Sequence, residues 1–233
     1  MRVDFEDHCW KDIVSDEILD IYKPYHRQTY IGKRPVLLAI DLYNAVYAGG
    51  PKPVSELVAA YPSSCGIYAW NAIEPTKQLF KACREQNIPV VYCTRDRLTK
   101  MNANGLQSTY RQVTKPAEDA FEIFREFSPQ PEDLVIYKNR ASVFYGTPIT
   151  AYLTMLGADS LLVCGESTSG CVRASVVDAY SNGYHVSLVE ECCFDRSPLS
   201  HKVNLFDLHH KYADVMHIEE VLYHLQARAA ASI

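Results

Sequence analysis

The sequence predicts an α/β protein with a three-layer αβα architecture, built on a doubly wound, six-stranded and mainly parallel sheet. Six short apolar blocks recur along the chain, and each is continuous rather than alternating, as a parallel strand covered on both faces requires. The stretches between them are long enough for crossover helices. The blocks lie at residues 36–40, 89–93, 134–137, 160–164, 185–189 and 213–217.

Helical patterns lie between these blocks. Residues 71–87 carry apolar side chains at helical spacing, residues 148–156 follow a Gly-Thr-Pro start, and residues 171–182 end at Gly183. We therefore expect helices in all three stretches. A strand order of 3-2-1-4 would bring the carboxyl ends of the first and fourth strands to the topological switch point, where such sheets bind ligands.

The N-terminal residues 1–34 differ from the rest, because aromatic and charged side chains are mixed there without a clear period. We interpret them as an arm on a single domain that spans residues 35–228. Packing of this arm on its own domain and packing on a neighbouring subunit are both open. The polar stretch at residues 97–117 follows the second strand, and we expect it to form a long loop of the kind that acts as a lid.

Composition excludes several classes of partner. The 233 residues carry 23 basic and 28 acidic side chains, a net charge of −5, and the basic ones are dispersed. Nucleic acid and membrane are therefore not expected as partners. The acidic start and the lack of a run of 18 apolar residues lead us to expect a soluble, cytoplasmic protein. The eight cysteines show no CxxC spacing, and we expect most of them to be small buried hydrophobes in a reducing compartment.

Three polar residues stand where the predicted sheet would bind a ligand. Asp41 ends the first strand, Lys138 ends the third, and Cys171 stands at the apparent start of a helix. A helix N-terminus and a nearby ammonium both stabilise a thiolate, so Cys171 is a candidate nucleophile, with a carboxylate to move its proton. Taken singly, the same residues could be a helix cap, a solvated lysine and a buried cysteine.

The turn at residues 165–170 consists mostly of small residues. Such a turn exposes backbone N–H groups with little steric cover, as an oxyanion hole requires. The alternative is an ordinary phosphate-type loop, although the turn matches neither GxGxxG nor the Walker pattern.

Residues 37–41, 135–138 and 163–184 resemble the isochorismatase-like cysteine hydrolases. Within them, the resemblance is strongest to the N-carbamoylsarcosine amidohydrolase group and its biuret, maleamate and ureidoacrylate relatives. It covers about residues 35–225 of this chain. The resemblance implies the isochorismatase-like hydrolase fold and assembly into a homotetramer or dimer.

The same resemblance implies that Asp41 is the general base, Lys138 its charge partner and Cys171 the nucleophile. Isochorismatases proper lack this cysteine, so its presence favours hydrolysis of a carbon–nitrogen bond. Nicotinamidases add a zinc site with histidines after the second strand, but residues 94–100 contain no histidine here. We therefore expect no metal and no cofactor, and interpret the eight histidines as surface or core residues.

Around this triad, the resemblance also implies a non-proline cis peptide between Glu166 and Ser167, ahead of an oxyanion turn that includes Gly170. It further implies that Arg196 clamps a substrate carboxylate, for which a guanidinium fork is suited. The alternative for this arginine is a structural pair with Asp195 or Glu166.

The sequence thus predicts an amidohydrolase that cleaves a small ureido or amide compound similar to N-carbamoylsarcosine. The reaction would pass through a thioester and release ammonia. A biuret or maleamate-type substrate is the first alternative. A non-catalytic binding protein on the same fold and a regulatory thiol protein remain open, although the second needs a resolving cysteine, and Cys164 is expected to be buried in a strand.

Overall fold

The computed structural model describes residues 4–96 and 117–231. At its centre is a six-stranded sheet with the order β3-β2-β1-β4-β5-β6, in which every pairing is parallel. The predicted fold class is confirmed, and so is the order of the first four strands. The predicted lid at 97–117 lies outside the described residues, apart from its last residue. The strands are β1 Pro35–Ile40, β2 Val90–Arg95, β3 Leu134–Lys138, β4 Ser160–Gly165, β5 His185–Cys193 and β6 Asp214–Met216.

Helices cover both faces of the sheet, and the three helices expected from the sequence correspond to α5, α6 and α7. A π-helical turn, Thr168–Val172, precedes α7 and contains Cys171, so the cysteine does not start the α-helix itself. None of the described helices combines the length and apolarity needed to cross a bilayer. The helices are α1 Asp16–Tyr22, α2 Asn44–Tyr47, α3 Val54–Leu57, α4 Ile67–Asn71, α5 Ile73–Glu85, α6 Ile149–Met155, α7 Arg173–Ser181, α8 Pro198–Lys211 and α9 Ile218–Ala231.

Strand β1 shows why the strand blocks are continuously apolar. Its side chains alternate between faces, and all six residues are buried. Leu37 packs in the cluster formed with α5 and α9, whereas Leu38 packs in the opposite cluster formed with α6, α7 and α8. Burying a leucine contributes about 1.5–3 kcal/mol, so both faces of this strand contribute to the core.

The N-terminal arm packs on its own domain from residue 4 onward. Trp10 is fully buried in the cluster on the α8 side of the sheet. Arg27 donates a 2.8 Å hydrogen bond to Asp214 Oδ1 of β6, and the ring of Tyr30 stacks on that of His185 at 3.8 Å. Packing of the arm on its own domain is one of the two arrangements that the sequence left open, and packing on a neighbouring subunit stays a prediction.

The carboxyl ends of β1 and β4 approach closely at Gly165. This residue has φ +116°, and a Cβ atom there would lie 1.9 Å from the carbonyl oxygen of Ile40. Only glycine fits such a position without moving the backbone. The same Ile40 oxygen accepts the N–H of Glu166 at 2.9 Å. Asp41 follows β1 and Glu166 follows β4, so this contact fixes the backbone positions of the two residues relative to each other.

Candidate active site

The three candidate residues meet at the carboxyl edge of the sheet. Lys138 Nζ lies 2.6 Å from Asp41 Oδ2 and 3.3 Å from Cys171 Sγ. Asp41 and Lys138 are 2% and 5% exposed, and Cys171 is half-buried. An acid, an ammonium and a thiol from distant parts of the chain therefore share one site, as the strand-end argument predicted.

Asp41 is held by its backbone rather than by its side chain alone. It has φ +54°, a left-handed conformation that aspartate tolerates better than most residues, and its N–H donates to the Cys93 oxygen of β2 at 2.9 Å. Its Oδ1 is buried and accepts no hydrogen bond from the part of the chain that the structure describes. Asp41 Oδ1 can therefore accept the thiol proton or a hydrogen bond from a ligand.

Burial and mutual attraction set the charges of the Asp41–Lys138 pair. Burial would lower the pKa of Lys138, but the charges of Asp41, Cys93 and Cys171 and the hydrogen bond to Asp41 together hold this pKa above its usual range. Burial also raises the pKa of Asp41, although Lys138 opposes the change. The lysine therefore stays an ammonium, and the carboxylate is a stronger base than a solvated aspartate.

Cys171 rests as a thiol. Burial, followed by the charge of Asp41, raises its pKa to about 12, and the opposing effect of Lys138 is smaller. The sequence-based expectation of a stabilised thiolate is therefore wrong. Removal of the thiol from water costs more than the lysine recovers, and the neighbouring carboxylate repels a second negative charge. Reactivity at this sulfur requires a base in contact with it.

The turn that carries Cys171 is fixed by Asp195, which the sequence suggested only as a structural partner of Arg196. Asp195 is buried, and its Oδ2 accepts hydrogen bonds from the N–H of Ser169 at 2.9 Å and from its Oγ at 2.6 Å. Within the turn, the N–H of Gly170 donates to the oxygen of Ser167 at 2.8 Å. The amide of Gly170, expected near an oxyanion, is thus already engaged. The peptide between Glu166 and Ser167 is cis.

Arg196 lies at the exposed rim of this region. Its Nη1 donates a 2.7 Å hydrogen bond to the oxygen of Pro62. Ser169 is bonded to Asp195 Oδ2, and Tyr43 and Cys65 lie at the oxygens of Glu166, so Arg196 contacts a backbone oxygen in place of either carboxylate that was weighed as its partner. The guanidinium therefore keeps donor groups beyond the one bonded to Pro62.

Two further side chains contact the candidate residue Glu166. The hydroxyl of Tyr43 donates to Glu166 Oε1 at 3.1 Å, and Cys65 Sγ lies 4.0 Å from Oε2. Tyr43 stands two positions after Asp41, which is a local signal that sequence reasoning could have used. Cys65 has no such signal, because only the packing of the loop before α4 brings it there.

The histidines are less scattered than their linear spacing indicates. His8, Glu190 and His217 offer ligand atoms within 4.8 Å of one another. We call this group the arm cluster. His217 Nδ1 faces Glu191 and its Nε2 faces the oxygen of Asp7, both at 2.6 Å, and the hydrogen bond to Glu191 raises the pKa of His217 to about 10. With both nitrogens on oxygen acceptors, this ring is an imidazolium that links the arm to the sheet.

Comparison with known proteins finds relatives that match most of the chain. The isochorismatase domain model matches residues 35–220. The chain is 32% identical to N-carbamoylsarcosine amidase from an Arthrobacter species over 211 residues, covering 87% of this chain and 75% of that protein. It is 39% identical to maleamate amidohydrolase from Pseudomonas putida over 99 residues, covering 42% of this chain and 46% of that protein.

A solved structure shows the same fold. It is a cysteine hydrolase from Pseudomonas syringae pv. phaseolicola, with a TM-score of 0.70 and 15% identity, covering 87% of this chain and all of that chain. Together, the all-parallel sheet, the site at its carboxyl edge and the match over residues 35–220 establish that this chain belongs to the isochorismatase family.

Proposed function

We propose that this protein is an amidohydrolase that cleaves a carbon–nitrogen bond of a small amide or ureido compound, with Cys171 as nucleophile. The position of Lys138 Nζ carries the proposal, because it lies within hydrogen-bond distance of both the Asp41 carboxylate and the Cys171 sulfur. Covalent catalysis requires a nucleophile beside a base, with a third group that orients them, and here these would be Cys171, Asp41 and Lys138.

In the first half-reaction, Asp41 takes the thiol proton as Cys171 Sγ bonds to the substrate carbonyl carbon. Lys138 stays protonated and offsets the negative charge that the site gains. The oxygen of the tetrahedral intermediate needs a backbone donor, and we assign the N–H of Cys171, since that of Gly170 is engaged with Ser167. The carbon–nitrogen bond then breaks, and the leaving nitrogen takes the proton from Asp41 and departs as ammonia.

In the second half-reaction, Asp41 takes a proton from water, and the hydroxide attacks the thioester carbon. The carbon–sulfur bond breaks, and the sulfur recovers its proton from Asp41. An amide thus gives a carboxylic acid, while a ureido substrate gives a carbamic acid that loses CO₂. The free thiol and the carboxylate are both restored, so the cycle closes without a cofactor.

The relatives narrow the substrate class. N-carbamoylsarcosine and maleamate, the compounds in the names of the two relatives, are both small amides that bear a carboxylate. We propose that Arg196 binds such a carboxylate with the donors that Pro62 leaves free. A neutral substrate such as biuret is the alternative, and it would gain less from this arginine.

An ammonia-release assay over N-carbamoylsarcosine, maleamate, ureidoacrylate, biuret and nicotinamide tests the proposal. With the preferred substrate, Cys171→Ser should lower kcat by about 10³-fold or more while the protein stays folded, because the hydroxyl is a much weaker nucleophile. Cys9→Ser is the matched control, since Cys9 is the other half-buried cysteine and lies in the arm. Near-normal turnover by Cys171→Ser would show that the mechanism is wrong.

A further inference from the structure

The π-helical turn Thr168–Val172 receives hydrogen bonds from one stretch of chain, which runs from the end of β5 into the first turn of α8. The oxygen of Phe194 accepts the N–H of Thr168 at 3.0 Å. The carboxylate of Asp195 holds the residue that follows. A third contact joins Thr168 Oγ1 to Nδ1 of His201 at 2.8 Å, and the proposed mechanism leaves this histidine unused.

The hydroxyl of Thr168 makes an unusual contact for a threonine in a helical turn. Such a hydroxyl commonly bonds to a carbonyl oxygen of the preceding turn of its own helix. Here it bonds to a side chain of another helix, and Thr168 is fully buried. A buried hydroxyl needs a partner, because water cannot reach it. Within the described residues, His201 supplies that partner.

His201 makes this contact as a neutral ring. Burial lowers its pKa, and the charge of Lys202 adds to this effect, whereas the charges of Glu190 and Asp195 oppose it. The ring is therefore mainly neutral at pH 7 and carries a single N–H. In either tautomer, Nδ1 forms one hydrogen bond with the Thr168 hydroxyl, as donor or as acceptor.

The shape of this turn decides where the sulfur of Cys171 lies. π-Helical turns are rare, so contacts from outside the turn are expected to help hold this one. Inside it, the N–H groups of Gly170 and Val172 both donate to the oxygen of Ser167, at 2.8 Å and 3.1 Å. Cys171 stands between them in sequence, and its Sγ is 3.3 Å from Lys138 Nζ. A displacement of about 1 Å can slow a reaction about 100-fold, so the turn must be held closely for the sulfur to react.

We propose that His201 is a positioning residue, whose hydrogen bond to Thr168 holds the turn so that the sulfur of Cys171 stays beside the ammonium and the carboxylate of the site. The ring bonds to the turn three residues before the sulfur, so it acts through the backbone and not on the substrate. Asp195 bonds to the next residue, Ser169, so side chains from outside the turn fix two consecutive residues of it. The inference rests on the proposed function, in which Cys171 is the nucleophile, and adds a residue that supports the same site.

Variants on both sides of the contact test the inference in the ammonia-release assay at neutral pH. Thr168→Val and His201→Phe each remove the hydrogen bond, and each should lower kcat about tenfold while KM stays within about twofold. The double variant should lose no more than either single variant, because the two residues share one bond. Thr168→Ser keeps a hydroxyl and His201→Asn places an amide near Nδ1, so both should recover kcat to within about threefold of the wild type. Thr154→Val is the matched control, since that exposed hydroxyl bonds within its own helix α6.

A purely structural role would lower the melting temperature of these variants and leave kcat unchanged in the folded protein, and that result overturns the inference. So does a loss confined to KM, or a double variant in which the two losses multiply. If one variant does not fold, the pair on the other side of the contact still decides, either Thr168→Val against Thr168→Ser or His201→Phe against His201→Asn. Failure of the proposed function shows separately, as turnover by Cys171→Ser.

Discussion

The candidate active site and the arm cluster both bury carboxylates beside cations, yet they differ in how completely those groups are bonded. In the arm cluster, Glu190 accepts hydrogen bonds from His8 Nδ1 at 2.7 Å and from the N–H of Cys9 at 3.0 Å, one on each oxygen. In the site, Asp41 Oδ1 accepts none from the described part of the chain. Full satisfaction of buried polar groups stabilises a fold, whereas an unsatisfied oxygen at a cleft is available to a ligand.

Among the substitutions that test this difference between the two regions, we expect the largest effect at Asp41. Asp41→Asn should lower kcat by about 10³-fold, because an amide cannot take the thiol proton, and should destabilise the fold by about 3 kcal/mol, because Lys138 is left as a buried, unpaired cation. Steady-state kinetics and chemical denaturation measure the two effects.

The double variant Asp41→Asn/Lys138→Met separates them. It removes both buried charges, so stability should return towards the wild-type value while activity stays lost. Recovery of turnover in the double variant would contradict the role of Asp41 as base.

In the arm cluster the effect should fall on stability instead. Glu190→Ala removes both acceptors that hold His8 and Cys9, and we expect a loss of about 2–3 kcal/mol in the free energy of unfolding, with kcat within about twofold of the wild type. Glu190→Gln keeps an acceptor oxygen and should lose less. A kcat that falls in proportion to stability would show that the two regions are not separate.

Asp195 shares a feature with each region. Its carboxylate is hydrogen-bonded like that of Glu190, yet it supports the turn that carries Cys171. Asp195→Ala should lower kcat about tenfold with little change in KM, since Ser169 loses its acceptor and the thiol is less well placed. Asp20→Ala is the control, since that carboxylate pairs with Lys23 on the surface of the arm. A change confined to KM would assign Asp195 to substrate binding instead.

The smallest effect concerns the His217–Glu191 pair. The raised pKa of His217 gives stability that is full below its unfolded pKa near 6.5 and is lost as pH rises towards 10. The lowered pKa of Glu191 gives stability that is full above pH 4.5 and is lost in acid.

The melting temperature of His217→Gln should therefore lie furthest below that of the wild type between pH 5 and pH 6.5, and the gap should close by pH 10. We expect about 1 kcal/mol at most after screening by solvent, or about 2–4 °C. A gap that widens with pH would contradict this assignment.

The strands and the three reactive positions could be predicted from the sequence because parallel strands bury both faces and their ends share one edge. The fifth strand was predicted too short, since Glu190 and Glu191 interrupt its apolar block. They lie within a strand because His8 and His217 pair with them, and no local pattern shows a partner so distant in the chain.

The protonation states and contacts of the site residues were harder to predict from the sequence than the identity of those residues. The pKa of Cys171 depends on how completely the fold removes the sulfur from water, and the sequence shows only that a helix and a lysine are near. The contacts of Glu166 with Tyr43 and Cys65 depend on loops that no periodicity describes. The homotetramer or dimer implied by the resemblance stays a prediction.

The close backbone contact at Gly165 fixes the position of β4, which leads to Cys171, relative to β1, which leads to Asp41. The carbonyl oxygen of Ile40 lies against Gly165 and accepts the hydrogen bond from the N–H of Glu166. Any side chain at position 165 would therefore push β1 and β4 apart next to the candidate active site. Directed evolution of new substrates can therefore vary the rim at Arg196, but position 165 must stay as it is.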